Sequence, residues 1–133
     1  MKIDIATAGL QRSPSAELAL PRALDAGDLD AAAACFARDG CLITPDATAI
    51  HGRHLVRSVL AQLIAQRIEV AVESSHLISA GDVRLVRERW RIRTGVEGAR
   101  LVQVLHPSFA MRRVESEWKL AIAAPWGWGG GSL

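Results

Sequence analysis

The chain has 133 residues, the length of one compact domain, and half of them are apolar, enough to build a core without disulfide or metal staples. Its formal net charge is only +2; 14 of the 16 basic residues are arginine, but acids are scattered along the chain and offset them. That distribution argues against a nucleic-acid binder, which concentrates its basic charge in one region, and apolar runs far short of about 20 residues argue against a membrane span.

Residues 1–12 read as a loose arm and 129–133 as a flexible tail around a single domain. The start lacks the apolar run of roughly seven residues that a secretory signal needs, so a cytoplasmic protein is expected. Cys35 and Cys41 do not have zinc spacing and are expected as two reduced, buried thiols. In SPSAELALPRALDAGD, Ser13 can cap a helix and Pro14 suits its first turn. Pro21 would cost roughly 3 kcal/mol in a helix interior, which predicts a kink or a fresh start. Gly27 ends this helix, Asp28 caps a second, DLDAAAACFARDG, and Gly40 closes it. CLITPD reads as a short strand stopped by Pro45-Asp46, and TAIHG as a second short strand or an extended return. RHLVRSVLAQLIAQR is the clearest helix, with Leu55, Val56, Val59, Leu60, Leu63 and Ile64 on one stripe.

From residue 68 the apolar period changes from helical to two. Ile68, Val70, Val72, Ser74, His76 and Ile78 share one face of IEVAVESSHLI. After the AGD turn, VRLVRERWRIRTG places five arginines in thirteen positions. Alternation sends Val83, Leu85, Arg87, Arg89, Arg91 and Arg93 to one side and Arg84, Val86, Glu88, Trp90, Ile92 and Thr94 to the other. The arginine side reads as a solvated or dimer-facing surface with cross-strand partners such as Glu69 and Glu73. Stacking on single-stranded nucleic acid needs interleaved exposed aromatics, and the chain has only two phenylalanines and four tryptophans. A turn at TGVEGA, a strand RLVQVLHPSFAMRRV, a turn at ESE and a last strand WKLAIAAPWGW complete the order. The predicted class is α+β, a sheet with about three N-terminal helices on one face.

AGDLD, then HGR before a helix, GDVRLVRERWRI, and EWKLAIAAPWG recur here in an order that resembles the NTF2-like superfamily, in its SnoaL-like and DUF4440-type branch. The resemblance spans about residues 16–128. It implies a cone-shaped, cystatin-like fold: a curved antiparallel sheet around helices, with a pocket at the open end and a homodimer formed through the outer sheet face. Curvature of that kind needs bulges, and Pro107 is a candidate position for one.

Within such a cone Glu88 would be a carboxylate beside the indole of Trp90, an arrangement suited to a general acid or base; an ion pair with a nearby arginine is the competing reading. Asp46 lies near the catalytic aspartate of the ketosteroid isomerases this chain is similar to, but in the order Pro-Asp, and a turn residue with an Asx-type bond explains it as well. His76 and His106 are candidate proton-transfer partners or simple strand residues, their faces unfixed because each one-residue slip flips a strand. Trp90, Trp126, Phe36 and Leu60 are the candidate substrate-binding walls. His51 and His54 are expected to flank a helix start, and neither a metal nor a cofactor is expected. The chain has no tyrosine, which disfavours the ketosteroid-isomerase oxyanion hole and the epoxide-hydrolase pattern. Ala123-Ala124-Pro125 also lacks the acid that many relatives carry before this proline. Two readings stand: a cofactor-free isomerase, cyclase or dehydratase acting on an apolar small molecule by proton transfer, or a non-catalytic ligand-binding or dimeric association domain. Neither involves nucleic acid or a membrane.

Overall fold

The switch to period-two patterning at residue 68 marks the point after which the described elements are all strands; before it three helices are interspersed with two strands of the same sheet. In the computed structural model the described residues are 16–95 and 101–127. The arm, Ser13, Pro14, most of the TGVEGA turn, Trp128 and the tail lie outside them. The described helices are α1 (Ala16–Ala26), α2 (Leu29–Ala34) and α3 (Arg53–Ala65). The strands are β1 (Phe36–Ile43), β2 (Ala49–His51), β3 (Glu69–Ala80), β4 (Val83–Thr94), β5 (Leu101–Leu105), β6 (Ser108–Val114) and β7 (Glu117–Ala124).

Helix α1 is one element that contains Pro21, where a break was the expectation. Burial of Leu20, Ala23 and Leu24 offsets the backbone bond that proline cannot make. Asp28 caps α2 through its Oδ1, which accepts from Ala31 N at 3.0 Å. The sequence predicts that α2 runs to Gly40, but it stops at Ala34 and Phe36 already opens β1. Leu120 N donates to Cys35 O at 2.8 Å, so sheet pairing with β7 overrides the helical preference of the alanine run.

Gly40 is therefore a strand residue rather than a helix stop. A Cβ there would meet Leu120 O at 2.9 Å and Ala37 O at 3.0 Å, both backbone atoms, within the register shift between Phe36 and Cys41. Gly40→Ala is expected to cost about 1–3 kcal/mol through this overpacking, measured as a lower urea midpoint at unchanged slope.

The sheet order is β2-β1-β7-β6-β4-β3, with β5 also on β4. All pairs are antiparallel except β1–β7, which is parallel. One edge of β4 takes β3, while the other is shared by β6, along Val83–Arg87, and β5, along Trp90–Thr94. The expected single strand through Pro107 is thus two strands. Leu105 faces Trp90 and Ser108 faces Arg87, so His106-Pro107 spans two residues of β4 with no extra residue inserted. Pro107 interrupts the ladder because it has no N–H, yet Glu88 N still donates to Pro107 O at 3.0 Å. The bulges lie elsewhere, between Val72 and Ser74 in β3 and opposite Ala110 and Met111 in β7.

The concave face closes on the helices. Val56 and Leu60 of α3 pack with Leu20, Leu24, Phe36, Val86, Trp90, Phe109, Met111 and Leu120 in one core. Leu55, assigned by sequence to the same helical stripe, is exposed. Both cysteines are free; burial pushes the Cys35 thiol up to about 11, partly opposed by Lys119, and raises that of Cys41 as well.

On the convex face the arginine row finds the acids that alternation suggests. Arg89 and Arg91 donate through Nε to the two oxygens of Glu73, each at 2.8 Å, and Arg93 lies 3.9 Å from Glu69. Hydrogen bonds from Arg89 and Arg91 lower the Glu73 pKa, and Arg112 lowers that of Asp39. A carboxyl with a depressed folded-state pKa adds stability above its unfolded value and loses it as pH falls through the folded one. Thermal midpoints are accordingly expected to hold above pH of about 5 and to decline below about 4, the decline shrinking at high salt because these pairs are exposed.

Candidate functional site

The strand that carries Glu88 and Trp90 is placed as its alternation predicts. Val86, Glu88, Trp90 and Ile92 are buried, while Val83, Leu85 and the arginines at 87, 89, 91 and 93 are exposed. On β3 the alternation breaks. The bulge at Glu73 adds one residue, so Val72 pairs with Trp90 but Ser75 pairs with Glu88 and His76 with Arg87. His76 thereby sits on the convex face, exposed, and Ser75 is the residue that stands beside Glu88.

Glu88 is the only buried charged side chain among the described residues, 4% exposed. Its Oε1 accepts from Trp90 Nε1 at 2.7 Å, and its Oε2 accepts from Ser75 Oγ at 2.9 Å. Two residues apart on one strand, Glu88 and Trp90 are thus locked to each other. The indole packs on Phe109 with ring centroids 5.9 Å apart.

On its other side Trp90 walls a cavity of about 60 Å³ between helices and sheet. Leu24, Leu63, Ile68, Ile92, Leu105, Pro125 and Trp126 give it an apolar surface, and Gln66, Thr94 and Gln103 supply neutral hydrogen-bonding groups. No carboxylate or imidazole is among these lining residues. Glu88 stands behind the Trp90 wall rather than in the lining. Trp126 closes another side and also lines a neighbouring open groove of about 480 Å³ with Arg87, Val104, Leu105, His106, Ser108 and Gly127.

Of the residues singled out from sequence, Trp90 and Trp126 meet at the cavity. Phe36 and Leu60 are fully buried core residues outside its lining. The reason for Phe36 is the early start of β1, which points its side chain into the core. Asp46 lies in the exposed β1–β2 turn, where Thr44 Oγ1 donates to its Oδ1 and bonds from Thr44 and Thr48 hold its carboxyl below the usual range. An exposed, ionised turn residue of this kind is placed as the Asx-type reading expects. His106 is exposed at the β5–β6 break. The structure therefore does not bring His76, His106 or Asp46 to Glu88. Among the described residues no group of three or more His, Cys, Asp or Glu side chains could hold a metal ion, and no helix is long and apolar enough to cross a membrane.

Sequence reasoning missed Gln66, Gln103 and Ser75. Gln66 is the C-cap of α3 and lines the cavity, a position that the helical stripe does not reveal. Thr94 carries the one usable signal, since it shares the alternation of Glu88 and Trp90.

A seven-stranded curved sheet wrapped on N-terminal helices, with a small cavity at one end, defines a cystatin-like fold of the NTF2-like class. The chain matches the SnoaL-like domain over residues 18–116 and belongs to that family. It is similar in structure to a protein proposed as a dehydratase of the NTF2-like family from Streptomyces avermitilis, with 21% identity over 83% of this chain and 90% of that one and a TM-score of 0.73. An NTF2-like protein with a cystatin-like fold from Novosphingobium aromaticivorans is similar at 16% identity, over 88% of this chain and 80% of that one, with a TM-score of 0.72. A proposed calcium/calmodulin-dependent protein kinase type II association domain from Thiobacillus denitrificans shares 26% identity over 84% of this chain and 93% of that one, with a TM-score of 0.69. No curated protein matches the chain.

Proposed function

We propose that the protein binds a small, neutral, mostly apolar molecule in the cavity between Trp90 and Trp126. The observation that carries this reading is the lining: two indoles and aliphatic side chains, with Gln66, Thr94 and Gln103 as neutral donors and acceptors. Uncharged polar groups in an apolar site orient a hydroxyl or carbonyl without the desolvation cost of a charge. At about 60 Å³ the cavity is far below the roughly 300–1,000 Å³ of sites that enclose drug-sized ligands. A polycyclic guest would need Trp126 to swing toward the adjoining groove; a single-ring phenol needs less movement. Titration with a panel of neutral phenols and alcohols, followed by calorimetry, tests the reading. Saturable binding that weakens by roughly three- to tenfold in Gln103→Leu or Thr94→Val, the worth of one neutral hydrogen bond, supports it. Binding indifferent to both substitutions, or none across the panel, overturns it.

A second reading, proton-transfer catalysis, draws on one observation: the buried Glu88 carboxylate directly behind the Trp90 wall. The relative proposed as a dehydratase is compatible with it. In that case the ligand reaches Glu88 only if Trp90 yields, and Glu88→Gln abolishes turnover while leaving the fold intact.

The assembly that accompanies either reading is a homodimer through the convex sheet face. Ile78 pairs with Leu85, Leu85 with Ala110 and Ala110 with Ile122, an apolar row across four strands, and Ile78, Leu85, Ile122 and the nearby Val83 are all exposed. A two-fold contact can set such a row against its own copy. Leu85→Glu is expected to convert a sedimenting dimer into a monomer; an unchanged sedimentation coefficient would remove this surface from the interface.

A further inference from the structure

The groove on the far side of Trp126 is chemically unlike the cavity. Arg87, His106 and Ser108 supply its polar lining, Val104, Leu105 and Trp126 its apolar lining, and none of its lining residues is acidic. Arg87 is also the exception in the arginine row. Arg89 and Arg91 share Glu73, and Arg93 faces Glu69, whereas Arg87 has no carboxylate partner among the described residues. Its cross-strand neighbours are His76 on β3 and Ser108 on β6, so no acid stands opposite it on either side.

The wall is also held in place. Gly127 N donates to Ala124 O at 3.0 Å, closing a tight turn that contains Trp126. Gly127 has a φ of +91°, and a Cβ there would lie 3.2 Å from His106 O. A side chain here would be strained by the backbone and crowded against the β5–β6 break, and the turn presents the indole beside Arg87 and His106.

We propose that this groove is a second, separate ligand site, for a carboxylate carried on a flat apolar body. A guanidinium fork pairs with a carboxylate through two parallel N–H···O bonds, and Ser108 and His106 add donors on either side. Trp126, Val104 and Leu105 cover the apolar body. The site does not depend on the cavity reading, because its polar residues face the opposite side of the sheet. It adjoins the apolar row of the proposed dimer without including any of its residues.

The test uses 2-naphthoate and its neutral analogue 2-naphthol in calorimetric titrations of the full chain. Naphthoate is expected to bind with one site per chain and to weaken about tenfold or more in Arg87→Gln, with partial recovery in Arg87→Lys and steady weakening with salt. Arg87 is exposed, so both variants keep the fold, checked by circular dichroism. Gln103→Leu, which alters the cavity, is expected to leave naphthoate binding unchanged. Equal naphthoate affinity in wild type and Arg87→Gln overturns the proposal. So does displacement of naphthoate by naphthol together with sensitivity to Gln103→Leu, which would place the acid in the cavity instead.

Discussion

Trp90→Ala is expected to remove about 3–5 kcal/mol of stability, the range for truncating a large buried aromatic. The indole is 1% exposed and sits at the meeting point of α1, β4 and β6, against Phe109. Truncation loses its apolar burial, opens a void that merges with the existing cavity of about 60 Å³, and takes from Glu88 Oε1 the donor it holds at 2.7 Å. Against a total of about 5–15 kcal/mol for a domain of this kind, the variant would be marginal at room temperature. Trp90→Phe separates the contributions: it keeps most of the ring packing but lacks the N–H, so its cost should be close to that of one charge-assisted bond plus a small cavity, about 2–3 kcal/mol. Equilibrium urea unfolding followed by far-UV circular dichroism measures both. A loss under about 1 kcal/mol for alanine would show that the indole is not a packed element of the core.

How far such a residue can be identified from sequence depends on the regularity of its strand. β4 is paired on both edges and carries no inserted residue of its own, so simple alternation assigns each of its side chains to the correct face, Glu88, Trp90 and Thr94 included. β3 fails the same treatment because one extra residue at Glu73 reverses the faces beyond it, and nothing in VESSH marks the insertion. The paired Arg89 and Arg91 that gather around Glu73 show why it is there, but only in three dimensions. In β1 the error has another source. DLDAAAACF has good helical propensity, and the decisive competitor, the edge of β7, lies some eighty residues away in the chain. The long C-terminal hairpin was recognisable, yet the division into β5 and β6 follows from β4 having room for both along one edge. The cavity was therefore half legible: its two tryptophans stand out by type, while Gln66 and Gln103 become relevant only once a helix cap and a strand face are fixed.

Glu88 offers the sharpest contrast between substitutions at one position. Glutamine can keep the contacts to Trp90 and Ser75, its carbonyl accepting from Trp90 Nε1 and its amide donating to Ser75 Oγ, so at these two bonds Glu88→Gln loses charge assistance, about 1–2 kcal/mol. Glu88→Ala leaves the N–H of the buried Trp90 without this acceptor, takes from Ser75 its bond to Oε2 and adds a void, for about 2–5 kcal/mol. Near-UV circular dichroism reads the same hierarchy from the indole itself, with a signal near wild type for glutamine and a weakened one for alanine. If Glu88 works by positioning Trp90, ligand affinity follows that signal: retained in Glu88→Gln, reduced in Glu88→Ala. If Glu88 instead exchanges protons with a substrate, the two readouts separate, because glutamine preserves the wall and the binding but cannot take up a proton, and turnover alone is lost. Equal destabilisation by glutamine and alanine would contradict both roles, since it would mean that the bonds to Trp90 and Ser75 contribute nothing beyond the negative charge.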